Sequence, residues 1–455
     1  MSEPTKTPLF FQSRFWPMWV ALSFGTFADN VLRQALMIAV TFGALSVPGF
    51  SNADNALPWI GMLLPLGILS FSFLAGQLAE KFETATMFRR TKVTELALMA
   101  LAATGFAFGS GPIAILALFL MGVQSAFFAP VRVAAMPKYL STEELVRGNG
   151  LCNAGLFTFI LLGYGVGGGL IAIKNGGFYV GLVLVFAALI GWLAALRAEP
   201  RPATHADLKI DWNPVSQLGN MYKYVTQAPG VLPPLLGVGV FFFLTTAVTV
   251  VLPLFTRDTL GGGPGVATAL NGLFAVGAAI GAIAAASLAK GRSGLGYSTL
   301  GIAVAGVLTI MVCFITPLLV DKSSNPLTIG SLFSTPGGWI IALTFVASAA
   351  FMGLYIAPLQ AAIQRRAPDK VRAQIMASSI FTSALFAVPG SLSIRFITGS
   401  NIDPRFAFLA IGVMMLAIAA LMMVRREKIP DGTYDEMLLH NSLPPGSQNE
   451  AVGPA

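Results

Sequence analysis

The sequence predicts an all-α polytopic membrane protein with twelve transmembrane helices in two six-helix bundles. Three observations carry that prediction. The first is composition. Of 455 residues, 55% are apolar and 11% are charged, against roughly 25% charged in an average soluble domain; mean hydropathy is +0.75. A soluble surface cannot hide that much apolar area. This excludes a soluble enzyme, a nucleic-acid binder and a disordered scaffold. The second is the length of the uncharged runs. A hydrocarbon core about 30 Å thick takes about 20 helical residues, and stretches such as 34–53, 55–79, 148–173, 175–196, 373–394 and 406–424 meet or approach that. The third is the basic, polar interruption at 198–229, which has six spans before it and six after.

The first span is expected near 17–42. It is too long for a cleaved leader and carries Asp29 and Arg33. The second lies near 57–79. The run that follows is too long for one helix, and Gly109-Ser110-Gly111-Pro112 breaks it into a hairpin of 93–109 and 112–134. The fifth, near 146–173, holds Gly163, Gly165, Gly167, Gly168 and Gly169, and the sixth covers 177–197. Beyond the interruption come 230–255, 265–289 and 295–320, a Pro/Gly/Ser loop, then 337–358, 373–398 and 404–424. None of these alternates apolar with polar residues as barrel strands do. The domains read as a 1–197 bundle, a 198–229 linker, a 230–424 bundle and a 425–455 tail. The tail is rich in Pro, Gly, Ser and Asn and is expected to be disordered.

Alternating spans place 22 of the 28 Lys and Arg residues at one end of the molecule, Lys92 among them, and five at the other, with Arg33 inside a span. The basic end is expected to be cytoplasmic, with both termini there. The positive balance is therefore a loop property, and no nucleic-acid partner is expected. Cys152 and Cys313 are far apart and form no CxxC, and His205 and His440 fall outside the spans. No disulfide framework, metal site or cofactor is expected.

Polar residues inside the spans carry the functional reading. A charge at mid-bilayer costs about 2.5–3.5 kcal/mol on the insertion scale. Asp29 and Arg33, four residues apart, can pair on one helix face and offset part of that cost. With Asn30 they form a headgroup or cation site facing a wet cavity, or else a structural ion pair. The glycines of the fifth span permit close helix contact, or alternatively mark a flexing point. They are no phosphate loop, because no Lys-Ser/Thr follows. Pro130 should kink or end the fourth helix, leaving Arg132 to grip a phosphate or to snorkel to the interface. In the linker, Trp212, Tyr222, Lys223 and Tyr224 suit a segment at headgroup level, or a solvated connection.

Gly76-Gln77-Leu78-Ala79-Glu80-Lys81-Phe82, followed by Arg89-Arg90, resembles the signature loop between helices 2 and 3 of the major facilitator superfamily. In that reading Gly76 permits close helix approach. Glu80 pairs with a base across the seam between halves, and with Lys81, Arg89 and Arg90 the loop gates the pathway rather than binding cargo. The equivalent loop of the second half, Ala285 to Arg292, keeps small residues and bases but lacks the acid.

Ala28-Asp29-Asn30, Phe128-Ala129-Pro130-Val131-Arg132, Leu145-Val146-Arg147-Gly148-Asn149-Gly150-Leu151 and, more weakly, Ala357 through Arg365 are similar to the bacterial lysophospholipid transporters of that superfamily. The resemblance implies a flippase of the bacterial inner membrane that carries lysophospholipids inward by alternating access. A separate acyltransferase would then be a functional partner, and membrane lipid the surroundings. It assigns Asp29 and Asn30 to the central cavity, with Arg33 beside them. Arg132 replaces the family's usual Lys, and Asn153 stands where the family often has Glu, which removes a carboxylate there. Where relatives can carry an Arg in helix 7, this chain reads Thr245-Thr246-Ala247-Val248-Thr249, which puts headgroup binding from the second half in doubt. No His-x4-Asp acylation motif is present, so no enzyme activity is expected. The rival functions are a proton-driven exporter of drugs or other hydrophobic compounds, with Asp29 as its proton site, and a non-transporting scaffold or receptor.

Overall fold

Prolines and short polar caps start most of the long helices, because they satisfy or remove the first unpaired amides. Asn52 accepts from the Asn55 amide, Glu83 from the Thr86 amide and Thr335 from the Gly338 amide, while Ser141 and Glu144 form a capping box. Pro17, Pro112, Pro214 and Pro336 stand in first turns. The computed structural model describes residues 9–203, 207, 210–289, 295–319, 327–368, 372–400 and 402–424.

The helices are α1 (Trp16–Thr41), α2 (Ala53–Lys81), α3 (Thr84–Ala107), α4 (Gly111–Tyr139), α5 (Thr142–Ile171), α6 (Gly176–Leu196), α7 (Pro214–Gln227), α8 (Leu232–Asp258), α9 (Pro264–Ala289), α10 (Leu295–Leu319), α11 (Ile329–Phe333), α12 (Pro336–Arg366), α13 (Arg372–Ser393), α14 (Arg395–Thr398) and α15 (Arg405–Val424). Twelve of them are 20 to 31 residues long, and ten of those are apolar enough to cross a membrane. The other two, α1 and α3, are the ones that carry charges along their length.

The two halves repeat one packing pattern. In the first half α1 packs on α5, α2 on α4, and α3 on α4 and α6; in the second, α8 packs on α13, α9 on α12, and α10 on α12 and α15. Across the seam α2 meets α13 and α5 meets α9. Small residues make these crossings possible, since lipid offers no hydrophobic drive to hold helices together. A Cβ on Gly67 of α2 would fall 2.5 Å from the Phe119 carbonyl oxygen of α4, and Gly281 of α9 is pressed against Ala350 of α12. Three of the five α5 glycines serve contact, Gly163 and Gly167 against α1 and Gly168 against Thr268 of the other half, whereas a Cβ on Gly165 or Gly169 would meet open space.

Several boundaries differ from the sequence expectation. The α3 helix begins nine residues before the expected position 93, because the Glu83 cap starts it directly after α2. The presumed gating loop shrinks to Phe82-Glu83, and Arg89, Arg90 and Lys92 become helical. Pro130 does not end α4, which runs on to Tyr139. The α12 helix passes through Pro358 to Arg366. The break at Gly109 holds, with φ at +65° between α3 and α4. The tail 425–455, His205 and His440 lie outside the described residues.

Candidate transport cleft and buried charge cluster

With twelve spans alternating, the chain enters α1 and leaves α15 at the same, basic end. The direct bonds between halves gather toward the opposite, far end. Arg257 at the end of α8 donates to the Thr41 carbonyl (3.0 Å) and pairs with Asp54 of α2 (2.7 Å). Ser391 of α13 donates to the Pro58 carbonyl (2.6 Å), and Thr398 of α14 to the Asp54 carbonyl (2.9 Å). Arg395 lies over the Trp59 ring. The innermost of these bonds is Arg33 Nη2 to Thr249 Oγ1 at 3.1 Å, between α1 and α8.

The glycines of α2 differ in what they meet. Gly61, near the far end, is pressed against Val250 and Ser391 of the second half, whereas a Cβ on Gly76 meets open space. The close approach expected at Gly76 therefore occurs at Gly61 and Gly67. Among the described residues the bonds between the halves thus cluster toward the far end, and the Arg33–Thr249 bond is the one nearest the middle of the spans. Arg33 is half-buried, and its bond to Thr249 is its one hydrogen bond among the described residues.

Asp29 and Arg33 do not pair with each other among the described residues. Arg33 is long enough to cross to α8, while Asp29 turns into its own half. Its charged neighbours are Glu95 and Lys92 of α3, and its Oδ1 is buried without a hydrogen-bond partner. Gly25, one turn before Asp29 on the same face, lets α1 lie directly against Lys92 Nζ. Lys92 and Glu95 pair at 2.7 Å with side-chain exposures of 0% and 1%. Gln124 of α4 donates to Glu95 Oε2 (3.2 Å) and to the Thr91 carbonyl (3.0 Å), and Lys92 lies 4.4 Å from the centre of the Phe128 ring. Lys92 is therefore no loop base: it is a buried cation paired with Glu95, with Asp29 as a further charged neighbour. The sequence signal was a Lys and a Glu three residues apart, followed by Gln124 in an otherwise apolar span.

Asn30 faces α5 at Gly163, with its Nδ2 on the Thr26 carbonyl (2.7 Å). The side chains of Arg132, Asn153 and Glu80 lie outside the described residues. Lys81 is half-buried at the end of α2, and Arg90 is exposed. Arg89 donates to the Ala198 carbonyl at 2.9 Å, within its own half and the linker start, rather than across the seam. The same region holds Arg14 on Glu144 (2.7 Å) and Tyr139 on the Glu199 carbonyl (2.6 Å). Burial pushes the Tyr139 hydroxyl up to about 12, so it stays a donor. Thr249 of the threonine run accepts from Arg33 across the seam.

The Major Facilitator Superfamily profile matches residues 18–334. The chain is 26% identical over 294 residues to the lysophospholipid transporter LplT of Pectobacterium carotovorum subsp. carotovorum (strain PC1), covering 63% of this chain and 68% of that relative. Among solved structures it is similar to a mutant POT peptide transporter in complex with sulfate, at a TM-score of 0.71 and 14% identity, covering 93% of this chain and 96% of that one. It is also similar to a D-xylose–proton symporter, at a TM-score of 0.66 and 11% identity, covering 92% and 99%. At these identities the solved structures establish the fold alone.

Proposed function

The chain belongs to the major facilitator superfamily, and on that premise we propose that it carries lysophospholipids across a bacterial inner membrane by alternating access. The observation that carries this reading is Arg33, a half-buried guanidinium within a span whose one hydrogen bond among the described residues crosses to Thr249 of the other half. A guanidinium there offers paired donors to a phosphate, whereas Asp29, one turn away, is turned toward Lys92 and Glu95 and would have to rotate out of that cluster to meet a headgroup amine. Arg132 and Asn153 complete the proposed headgroup site from α4 and α5. The similarity to LplT supports the cargo class. The basic end faces the cytoplasm in this reading, so the bonds between the halves lie toward the outer side, away from a separate acyltransferase that would consume the product.

Uptake of labelled lysophosphatidylethanolamine into proteoliposomes tests it. Hydrogen bonds to charged groups contribute about 1.5–3 kcal/mol, roughly a 10- to 150-fold effect. Arg33→Ala should lower uptake by about that factor, with Arg33→Lys between it and wild type. Asp29→Asn and Arg132→Ala should slow uptake too. Unchanged uptake in Arg33→Ala and Asp29→Asn together removes the headgroup site.

A second reading, a proton-driven exporter of hydrophobic compounds, is favoured by the cluster of two carboxylates around Lys92, which has room for one more positive charge. It requires export that stops when an uncoupler collapses the proton gradient, with lysolipid uptake absent.

A further inference from the structure

The α7 helix has three distinct faces. Gln217, Met221, Tyr224, Val225 and Ala228 lie on one side and are buried or half-buried. That side packs on α13 of the second half and α2 of the first. Ser216, Asn220, Lys223 and Gln227 form a second, polar face that is fully exposed. The third face is apolar and also exposed, with Val215 (74%), Leu218 (38%) and Tyr222 (70%), and Trp212 (68%), just before the helix, is exposed as well. At 100° per residue the three faces lie roughly 120° apart. One faces protein, one is polar, and the third has no partner among the described residues.

The level of the helix is fixed at both ends. Before it, Gln77 of α2 donates to the Asp211 carbonyl (3.1 Å) and accepts from the Asp211 amide (2.8 Å). Gln77 lies in the last turn of the apolar span Ala53–Ala79, so α7 starts where hydrocarbon gives way to headgroups. After it, Arg366 of α12 donates to the Gly230 carbonyl at 2.6 Å. The helix is thus tied to the first half at its start and to the second half at its end, and it lies beside the α2–α13 seam.

We propose that α7 is an interfacial helix that seats Trp212, Val215, Leu218 and Tyr222 in the bilayer leaflet at the basic end, and so covers the α2–α13 seam with a lipid-anchored strap. Lipid is the fitting occupant because the apolar face sits at the level of the span end. Trp and Tyr favour that depth, and Lys223 on the adjoining face complements anionic headgroups. This inference is independent of the cargo.

Spin labels test it, introduced singly at 215, 218, 222, 216, 220 and 223 in a Cys152→Ala/Cys313→Ala background. The protein is reconstituted in phosphatidylethanolamine/phosphatidylglycerol vesicles. Labels at Val215, Leu218 and Tyr222 should collide with oxygen several-fold more than with a water-soluble nickel chelate; labels at Ser216, Asn220 and Lys223 should show the reverse. Equal nickel access at Val215 and Ser216 overturns the proposal, as does dipolar broadening at Val215, which would make a second copy the partner. Trp212→Ala/Val215→Ser should leave the fold intact and raise nickel access at Leu218. No rise would show that lipid does not hold this face.

Discussion

Lys92→Met is expected to be the most damaging single substitution outside the cleft, lowering stability by about 3–5 kcal/mol, the usual cost of breaking a buried ion pair from one side. Lys92 pairs with Glu95 within the first half, at 0% exposure, and Asp29 is a further charged neighbour of that pair. Removing it leaves two carboxylates facing each other in oil. Three acceptor oxygens of the cluster, Asp29 Oδ1, Glu95 Oε1 and Gln124 Oε1, are already buried without partners, so no protein donor stands ready to replace the ammonium. Glu95→Gln should cost less, because Asp29 then balances Lys92 alone. Lys92→Met/Glu95→Leu should recover much of the loss, since an apolar pair of similar volume avoids desolvation. Titration with SDS in mixed micelles ranks the variants. If Lys92→Met unfolds with the wild type, the ammonium is not the counterion of this cluster.

The charged core of the first half shows where sequence reading stops. Span number, the two halves and the contact role of three of the α5 glycines follow from hydropathy and residue size, which act locally along the chain. Lys92 was legible only as one base in a basic stretch, because α3 was expected to begin at 93. Starting the helix at the Glu83 cap moves Lys92 into the third turn and points it at Gly25. The same limit applies to Asp29 and Arg33. Their spacing permits an ion pair, yet side-chain length and the presence of Thr249 on another helix send them to different partners. Conversely, Gly76 sits in a motif from which a close approach is expected, and it faces open space. What sequence conceals is long-range: which helix stands opposite a polar side chain, and in which conformation.

Arg257→Ala should open the far end. Arg257 holds Thr41 and Asp54 across the seam, while Asp258 of its own helix fixes the guanidinium through two bonds of 2.6 and 2.9 Å. The substitution removes a charge-assisted pair contributing about 1.5–3 kcal/mol, enough to shift the opening equilibrium roughly 10- to 150-fold. A cavity of about 270 Å³ lined by Asp54, Asp258 and Thr398 brings water to the pair, so high salt should act in the same direction, more weakly. Spin–spin distances between labels at Ser51 and Ser400, in the far-end loops of the two halves, should gain a longer population in Arg257→Ala and a smaller one in Asp54→Asn, which keeps the bond to Thr41. An unchanged distance distribution in Arg257→Ala would mean that Ser391, Thr398 and the small-residue contacts hold the seam by themselves. The latch also bears on how cargo is coupled to motion. A ligand shifts a two-state equilibrium only by its differential affinity for the two states. A phosphate that draws Arg33 away from Thr249 removes the innermost bond of the seam, and the far end then depends on Arg257, Ser391 and Thr398. In Arg257→Ala the same cargo should therefore open the far end at a lower concentration than in the wild type.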